Sequence, residues 1–345
     1  MVGVILPDVT TSARYTSYDL PYLTKAFTTA GYTADQFKIQ NASGTTTTEV
    51  AIAQSMIAGG AKVLLVDPLD GPTGLQIQTL ASTAGIPYIS YDRATFQGTK
   101  TYYVSFDNVQ VGKLIGQGFM DCVTAWNVKS PQVYTLDGGQ DTDPNAIDFA
   151  KGYNSVIWGQ SVAQVKAGQT NSAGMTLVNE QLAPGWDNGK GQTIFQTAFT
   201  ANNKINATVE ANDGLAQSVI TVLKSAGVKA KTVPTVGQDA TLSGMENVLN
   251  GWQCGSVYKP VYLEAQAAVA LATYLRAAQA PPAALVNGTT TDPKNAATTE
   301  PAVLLTPYWV NTANMETTVI KDQFISVTDL CNNVTAAVCT AAGIK

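Results

Sequence analysis

The segment GIPYISYDRATF (residues 85–96) decides how this chain folds. A short apolar strand, Ile86 to Tyr91, runs directly into the charged pair Asp92 and Arg93. A short apolar run with a polar end is typical of a strand that is buried on both faces. Strands of this kind belong to parallel sheets covered by helices, so the segment predicts an α/β fold.

Comparable strands alternate with helical segments along the chain. The predicted strands are 2–7, 36–42, 62–68, 87–93, 101–108, 132–139, 163–170, 205–213, 232–240, 253–260 and 302–310. Apolar residues with a period of 3.6 predict helices, for example at 48–60 and 263–279. The Thr-, Asn- and Pro-rich stretch 285–301 predicts a polar loop. One doubly wound sheet rarely holds so many strands, so we expect two doubly wound parallel-sheet lobes.

Composition excludes several classes of function. The 345 residues are 45% hydrophobic, which suits two folded cores, and the chain contains no histidine. The absence of histidine removes Ser-His-Asp and Cys-His catalysis and most zinc sites. A net charge of −5 without a Lys/Arg cluster argues against nucleic acid as a partner. No phosphate-binding glycine motif follows a strand, and we expect no cofactor and no metal.

The four cysteines form no C-x-x-C pair, so we expect neither a metal motif nor a redox motif. They are either buried thiols or disulfides of an oxidising compartment, and four cysteines allow three connectivities. We favour a disulfide between Cys331 and Cys339, which would close a short loop near the C-terminus. Cys122 and Cys254 stay unassigned.

Polar side chains follow most of the predicted strands, where ligands of open parallel sheets bind. They are Asp8, Asp92, Arg93, Asp107, Asn108, Asn145, Asn212, Asp213, Asp239, Tyr258 and Lys259. Carboxylates accept protons from sugar hydroxyls, while Arg, Lys and Asn donate to sugar oxygens. Tyr15, Phe96 and Trp186 are aromatic residues near the same ends, and each either stacks on a sugar face or packs in a core. The pattern predicts carbohydrate binding.

Several longer segments, in their order, resemble the bacterial periplasmic D-xylose-binding protein family. They are PYISYDRATF (87–96), YYVSFDNVQVGKLIG (102–116), FTANNKINATVEANDG (199–214), VGQDA (236–240), GSVYKPVYLEAQ (255–266) and LLTPYWV (304–310). Proteins of this family capture sugars for ABC importers and belong to the ribose-binding-like group. The resemblance implies an α/β periplasmic binding protein type I fold, with two lobes joined by a three-segment hinge. The crossings are expected near 105–108, 237–240 and 304–307, with residues 1–105 and 240–304 in the N-terminal lobe, residues 106–239 and 305–345 in the C-terminal lobe, and a sugar cleft between them.

The resemblance also implies a set of ligand-binding residues at matching positions. Arg14 and Tyr15 match an Arg-aromatic pair in the first loop, and Asp92 and Arg93 match a YDR pair. Trp186 matches a stacking tryptophan. The remaining matches are Asn145, Asn212 of AND, Asp239 of GQD and Lys259 of YKP.

One departure concerns the choice of sugar. The family's first aromatic is typically Trp, whereas this chain has Tyr15, and the smaller ring leaves room for an extra hydroxymethyl group. The resemblance implies D-xylose as the first candidate, and this departure makes D-glucose a close second. The resemblance implies a monomer that is not an enzyme, and a membrane permease of an ABC importer as partner. It also implies an extracytoplasmic location, in the periplasm or lipid-anchored at the cell surface; the opening MVGVILPD (1–8) predicts a strand and not an export signal.

Two other functions stay open at this point. A sugar-sensing regulatory domain of the lactose-repressor type would share the two-lobe fold, but the first strand begins at Val2 without a preceding helix-turn-helix, and the chain is acidic. A glycoside-acting enzyme needs a pair of carboxylates, and pairing in space cannot be read from sequence.

Overall fold

The computed structural model describes residues 1–9, 14–96 and 101–345 and divides into two compact units. Unit 1 consists of Met1–Asp107, Thr142–Asn145 and Pro260–Thr306, and unit 2 consists of Asn108–Asp141, Ala146–Lys259 and Pro307–Lys345. Neither unit is continuous in sequence.

Strands and helices alternate as the sequence predicts. The strands are β1 (Val2–Leu6), β2 (Phe37–Asn41), β3 (Val63–Val66), β4 (Tyr88–Tyr91), β5 (Thr101–Phe106), β6 (Gln132–Gly139), β7 (Thr176–Pro184), β8 (Ala207–Glu210), β9 (Gly237–Gln238), β10 (Ser256–Tyr258), β11 (Gly288–Asp292), β12 (Asn295–Leu305) and β13 (Tyr308–Val310). The α-helices are α1 (Leu20–Thr29), α2 (Thr46–Ala58), α3 (Gly71–Thr83), α4 (Asn108–Ala125), α5 (Pro144–Ile157), α6 (Asn188–Ala201), α7 (Asp213–Ser225), α8 (Leu242–Leu249), α9 (Val261–Arg276), α10 (Val327–Val334) and α11 (Ala336–Ala341). Two short segments, Tyr15–Asp19 and Glu316–Ile320, are π-helical.

Unit 1 is built on a sheet with the strand order β11-β12-β5-β4-β3-β1-β2. All neighbours pair in parallel except β11 and β12, which form an antiparallel pair at the edge. Alternate strand residues face opposite sides of the sheet, so Val4 and Leu65 pack with α1 and α9, whereas Ile5 and Leu64 pack with α2 and α3. Helices on both faces explain why β1, β3 and β4 are entirely apolar or buried along their length.

Unit 2 contains two three-stranded sheets, β7-β6-β8 and β13-β10-β9. The first is parallel throughout, and in the second β13 pairs antiparallel with β10. Two disulfides lie in this unit: the long-range disulfide Cys122–Cys254 and the short-loop disulfide Cys331–Cys339, the latter being the pair that the sequence favours. The short-loop disulfide joins α10 to α11, so the C-terminal segment is helical and covalently closed.

Two local predictions differ from the structure, and one strand was not predicted. Residues 163–170 form no strand. The buried Val165 amide donates to the Glu180 side chain, and only the end of the segment contacts β7, where Gly168 and Gln169 form backbone hydrogen bonds with Leu177. The strand of this region is β7, which the sequence analysis missed. The predicted loop 285–301 contains most of the β11–β12 hairpin, because its threonines have high strand propensity and lie at an exposed sheet edge.

The division into units also places two segments differently from the prediction. Thr142–Asn145, predicted in the lobe that holds residues 106–239, belongs to unit 1. The sequence predicts residues 240–304 in one lobe, whereas residues 240–259 lie in unit 2. The reason is pairing, since β10 is hydrogen-bonded to β9 and so stays with the strand that precedes it. Within residues 1–9, 14–96 and 101–345, none of the helices combines the length and apolar character that a membrane crossing requires.

Candidate functional site

In unit 1, two buried arginines are held by five carboxylates, a group that we call the arginine cluster. Arg14 pairs with Asp19, Asp92 and Glu264, and Arg93 pairs with Asp67 and Asp143. The three carboxylates around Arg14 are hydrogen-bonded at 2.6 to 2.9 Å. This geometry fixes the guanidinium in one orientation, because each planar N–H points at a separate acceptor.

Arg93 is oriented mainly by backbone oxygens. Its guanidinium donates to the carbonyls of Pro68 and Leu69, which follow β3, and its Nη2 lies 3.3 Å from the Tyr15 hydroxyl oxygen. The carboxylates of Asp67 and Asp143 lie farther away, at 3.7 and 3.6 Å. The end of β3, the end of β4 and the segment before α5 therefore meet at this arginine.

The turn after β4 is fixed from two sides. Asp92 has a left-handed φ of 61°, and its carbonyl accepts hydrogen bonds from the Tyr103 hydroxyl at 2.7 Å and from the Asn145 amide nitrogen at 3.0 Å. The Asn145 backbone amide in turn donates to Asp143. The predicted residues Asp92, Arg93 and Asn145 are thus brought together in one network.

In unit 2, the central feature is an ion pair next to two aromatic rings, which we call the lysine cluster. It consists of Phe149, Trp186, Asp239 and Lys259. The Lys259 ammonium lies 2.9 Å from Oδ1 of Asp239 and 5.8 Å from the centre of the Phe149 ring. Phe149 packs edge-on against Trp186, with ring centres 6.3 Å apart. Trp186 also packs against Gly138, where an added Cβ would lie 2.0 Å from the indole. The glycine of LDGG thereby makes room for the tryptophan.

Asn212 has a structural role in addition to the predicted one. It caps α7, and its side-chain oxygen accepts a hydrogen bond from the Leu215 amide at 2.9 Å. The amide nitrogen of the same side chain takes no part in the cap, so it remains able to donate a hydrogen bond. Both the capping role and the binding role are therefore compatible with this residue.

Left-handed backbone marks three of the predicted site residues. Asp92 has φ 61°, Trp186 has φ 59° and Asp239 has φ 92°. Such conformations cost about 1–3 kcal/mol at a non-glycine residue, and for a bulky side chain such as Trp they are uncommon. Eight other non-glycine residues among those that the structure describes also have a positive φ, so this conformation shows that the three side chains are held by their surroundings and does not by itself mark a site.

Burial changes the pKa values of several groups in and near these clusters. Burial lowers the pKa of Arg14, but the charges of Asp19, Asp92 and Glu264 outweigh this and hold it above its usual value. Burial raises the pKa of the Asp67 carboxyl and of the Tyr15 hydroxyl, the latter with help from the charge of Asp67. Asp213, next to Asn212, has its pKa raised to about 7 by burial, against the opposing effect of its hydrogen-bond donors. The arginines are therefore charged at any physiological pH.

The sequence analysis missed four carboxylates of the arginine cluster, namely Asp19, Asp67, Asp143 and Glu264. Asp67 ends the strand segment KVLLVDP and Asp143 precedes Asn145 in DTDPN, so both carried the same signal as Asp92. Asp19 and Glu264 lie on helical segments, where a carboxylate usually faces solvent, and no local pattern marks them. In contrast, Phe96 packs with Ala94 and Tyr103 in a small apolar cluster, which favours the core interpretation for that ring.

Both clusters offer hydrogen-bond donors and acceptors and stacking surfaces for a polar neutral molecule. Among the described residues, no group of three or more Cys, Asp or Glu side chains is arranged to hold a metal ion. Most of the carboxylates are instead paired with guanidinium, ammonium, hydroxyl or amide groups of the protein, while both oxygens of Asp67 lack a hydrogen-bond partner among the described residues.

Comparisons with known proteins point to one family. A family model described as a periplasmic binding protein domain matches residues 2–280. The D-xylose-binding periplasmic protein of Escherichia coli is 33% identical over 293 residues, which is 85% of this chain and 82% of that protein. Its Haemophilus influenzae counterpart is 32% identical over 289 residues, 83% of this chain and 80% of that protein.

Solved structures share the fold. A carbohydrate transporter solute-binding protein from Chloroflexus aurantiacus, in complex with D-glucose, aligns with a TM-score of 0.78 at 24% identity, covering 95% of this chain and 97% of that one. An ABC transporter solute-binding protein from Clostridium phytofermentans, with bound β-D-glucose, aligns with a TM-score of 0.79 at 24% identity, covering 95% and 99%.

Proposed function

Because the chain belongs to the periplasmic binding protein family, we propose that it is the sugar-binding component of a bacterial ABC importer. It binds a monosaccharide pyranose reversibly and does not convert it. D-xylose is the first candidate, since the D-xylose-binding proteins match most of the chain. D-glucose is the second, since solved structures of the same fold contain it.

The observation that carries this proposal is the grouping of the predicted residues. Arg14, Tyr15, Asp92, Arg93 and Asn145 belong to one hydrogen-bonded network in unit 1. The Asp239–Lys259 pair and Trp186 gather around Phe149 in unit 2. The contacts between Arg14 and Asp92, between Tyr15 and Arg93 and between Asn145 and Asp92 join residues far apart in sequence, which supports a shared binding role for these residues.

Each side chain has a distinct role in the proposed complex. Asp92 and Asp239 accept protons from sugar hydroxyls, and Arg93, Lys259 and the Asn212 amide donate to sugar oxygens. Trp186 stacks on an apolar C–H face of the ring. Preorganisation by the internal ion pairs lowers the ordering cost on binding, because few side chains must be immobilised by the ligand.

Two features support an extracytoplasmic location. The curated relatives are named as periplasmic proteins, and unit 2 contains two disulfides, which persist in oxidising compartments. We propose that the protein works there as a monomer and delivers its sugar to a membrane permease.

Calorimetric titration with D-xylose, D-glucose, D-ribose, L-arabinose and D-galactose tests the function. We expect one or two pyranoses to bind and to be recovered unchanged after release. Asp239→Ala should weaken binding at least tenfold, whereas Asp121→Ala, at an exposed position of α4 outside both clusters, should not. Failure of every sugar to bind, or conversion of the bound sugar, would refute the proposal.

Tyr15 decides between the two leading sugars. Its ring lies 4% exposed beside Arg93, so a larger aromatic at this position reduces the space next to the guanidinium. We expect Tyr15→Trp to lower the affinity for D-glucose more than the affinity for D-xylose, which lacks the hydroxymethyl group. An unchanged ratio of the two affinities would show that Tyr15 does not face the part of the sugar that differs.

A further inference from the structure

Asp213 is one of the polar residues at the strand ends, but it is not among the residues matched to the sugar-binding set, and in the structure it ties three segments of unit 2 together. It is the first residue of α7 and is fully buried. Its Oδ1 accepts hydrogen bonds from the Gln253 amide at 2.8 Å and from the Ser256 hydroxyl at 2.7 Å. Its Oδ2 accepts from the Thr241 backbone amide at 2.8 Å and from the Thr241 hydroxyl at 3.2 Å. One carboxylate therefore connects the starts of α7, α8 and β10.

These contacts surround the turn that carries Asp239. Asp239 and Ala240 are consecutive non-glycine residues with left-handed φ values of 92° and 47°. Such a turn is strained and persists only when its surroundings hold it. The amide of Thr241 is held by Asp213, and the amide of Ala240 donates to the Ser256 hydroxyl at 3.0 Å. The strained turn is thus anchored at both residues that follow Asp239.

The same anchor reaches the other half of the ion pair. Ser256 begins β10, and Lys259 follows the end of that strand. Because Asp213 holds both the turn after β9 and the start of β10, it sets where Asp239 and Lys259 stand relative to each other. The carboxylate of Asp213 is also closely packed against two glycines. A Cβ added at Gly237 would lie 2.4 Å from its Oδ1, and a Cβ added at Gly244 would lie 2.2 Å from its Oδ2.

We propose that Asp213 is a positioning residue for sugar binding: without touching the sugar, it holds Asp239 and Lys259 in their binding geometry. This inference rests on the proposed function. The competing explanation is a purely structural role, in which loss of Asp213 destabilises unit 2 but leaves the affinity of the folded protein unchanged.

A double-mutant cycle separates the two explanations. Asp213→Asn keeps the shape but places an N–H opposite the Thr241 amide. We expect it to weaken sugar binding at least tenfold, and to weaken it by less than threefold when Asp239→Asn is already present. Additive losses, or an affinity of Asp213→Asn within threefold of wild type, would overturn the proposal.

Glu180→Gln is the matched control. Glu180 is also a buried carboxylate of unit 2 and accepts from Asn154 and from the Val165 amide, but it contacts no member of either cluster. We expect it to lower the unfolding midpoint without changing sugar affinity more than threefold. If Asp213→Asn does not fold, Ser256→Ala replaces it in the test. This variant removes one hydrogen-bond donor to Asp213 and the acceptor of the Ala240 amide, and we expect a three- to tenfold loss of sugar affinity. An unchanged affinity would count against the proposal.

A second readout does not depend on sugar. Lys259 is 5% exposed and paired with Asp239, so amine acetylation followed by mass spectrometry should label it slowly in the wild-type protein. We expect Asp213→Asn to speed this labelling at least fivefold and Glu180→Gln to leave it unchanged. The two failures are distinguishable. If the wild-type protein binds no sugar, the proposed function is wrong. If Asp213→Asn leaves the labelling rate of Lys259 unchanged, Asp213 does not position the ion pair, whatever the ligand.

Discussion

Glu210 is a buried carboxyl group whose ionisation should make unit 2 less stable as the pH rises. It ends β8 at 0% exposure, and its Oε2 accepts a hydrogen bond from the Val236 amide at 2.9 Å. Its Oε1 has no hydrogen-bond partner among the described residues. Burial raises the pKa of this carboxyl to about 8, against the effect of its hydrogen bonds.

The sign and size of the effect follow from linkage. The folded pKa lies above the unfolded pKa of about 4.3, so the folded protein binds more protons between these values and stability falls as the pH rises through that window. A difference of about 3.7 pKa units corresponds to at most about 5 kcal/mol at 1.36 kcal/mol per unit. Local relaxation reduces this, and we expect a loss of about 1–3 kcal/mol between pH 5 and pH 8.

Glu210→Gln removes this loss, because glutamine keeps the shape and an oxygen acceptor for Val236 but cannot ionise. All tryptophans lie in unit 2, so their fluorescence during urea unfolding reports on the correct unit; they are Trp126, Trp158, Trp186, Trp252 and Trp309. We expect the variant to gain stability relative to wild type as the pH rises, and the exposed-site control Asp121→Asn to show no such trend. A stability difference that is the same at pH 5 and pH 8 within about 0.5 kcal/mol would refute the reasoning.

Three further predictions concern single contacts. Glu264→Gln weakens one of the three charged contacts that orient Arg14, and calorimetry should show sugar affinity reduced about three- to tenfold, or about 0.7–1.4 kcal/mol; full affinity would mean that the other two carboxylates suffice. Gly138→Ala should displace the Trp186 ring and abolish the fluorescence response to sugar, since no Cβ fits at 2.0 Å; an unchanged response would place Trp186 outside the site. Cys122→Ser opens a disulfide that spans 132 residues, and chain entropy predicts a loss of about 5 kcal/mol, against about 2.5 kcal/mol for the 8-residue short-loop disulfide; equal shifts of the unfolding midpoint would contradict the entropic account.

Much of the fold follows from short-range pattern. Strand β3 is apolar along its whole length, and in β4 only Ser90 interrupts the aliphatic and aromatic residues; runs of this kind predict strands inside a helix-covered parallel sheet. The hairpin β11–β12 was predicted as a loop. It lies at the edge of the sheet and is largely exposed to water, so its polar sequence resembles that of a loop. Residues 163–170 were predicted as a strand and are not one. The Val165 amide donates to the carboxylate of Glu180, and backbone pairing with β7 is confined to the end of the segment.

The site was less accessible to sequence reasoning than the fold. Residues at strand ends share one edge of a parallel sheet, so Asp92 and Arg93 could be placed there from pattern alone. Glu264 reaches Arg14 across 250 residues of sequence, and only the packing of α9 on the sheet creates that contact. Backbone strain at Trp186 and Asp239 is equally invisible in a sequence, because φ is set by the surrounding structure.

The charge balance of the arginine cluster argues for a neutral ligand. Two arginines face five carboxylates, so the cluster holds an excess of acceptors even if burial keeps Asp67 protonated. A sugar carboxylate or phosphate placed there would meet like charges at low dielectric, and both guanidinium groups are already neutralised by the protein. Neutral hydroxyls, in contrast, donate to the surplus oxygens. D-glucuronate has the ring of D-glucose with a carboxylate in place of the hydroxymethyl group, and we expect it to bind at least 100-fold more weakly than D-glucose in the same titration. Comparable affinities would mean that the excess carboxylates are protonated or turned away from the sugar.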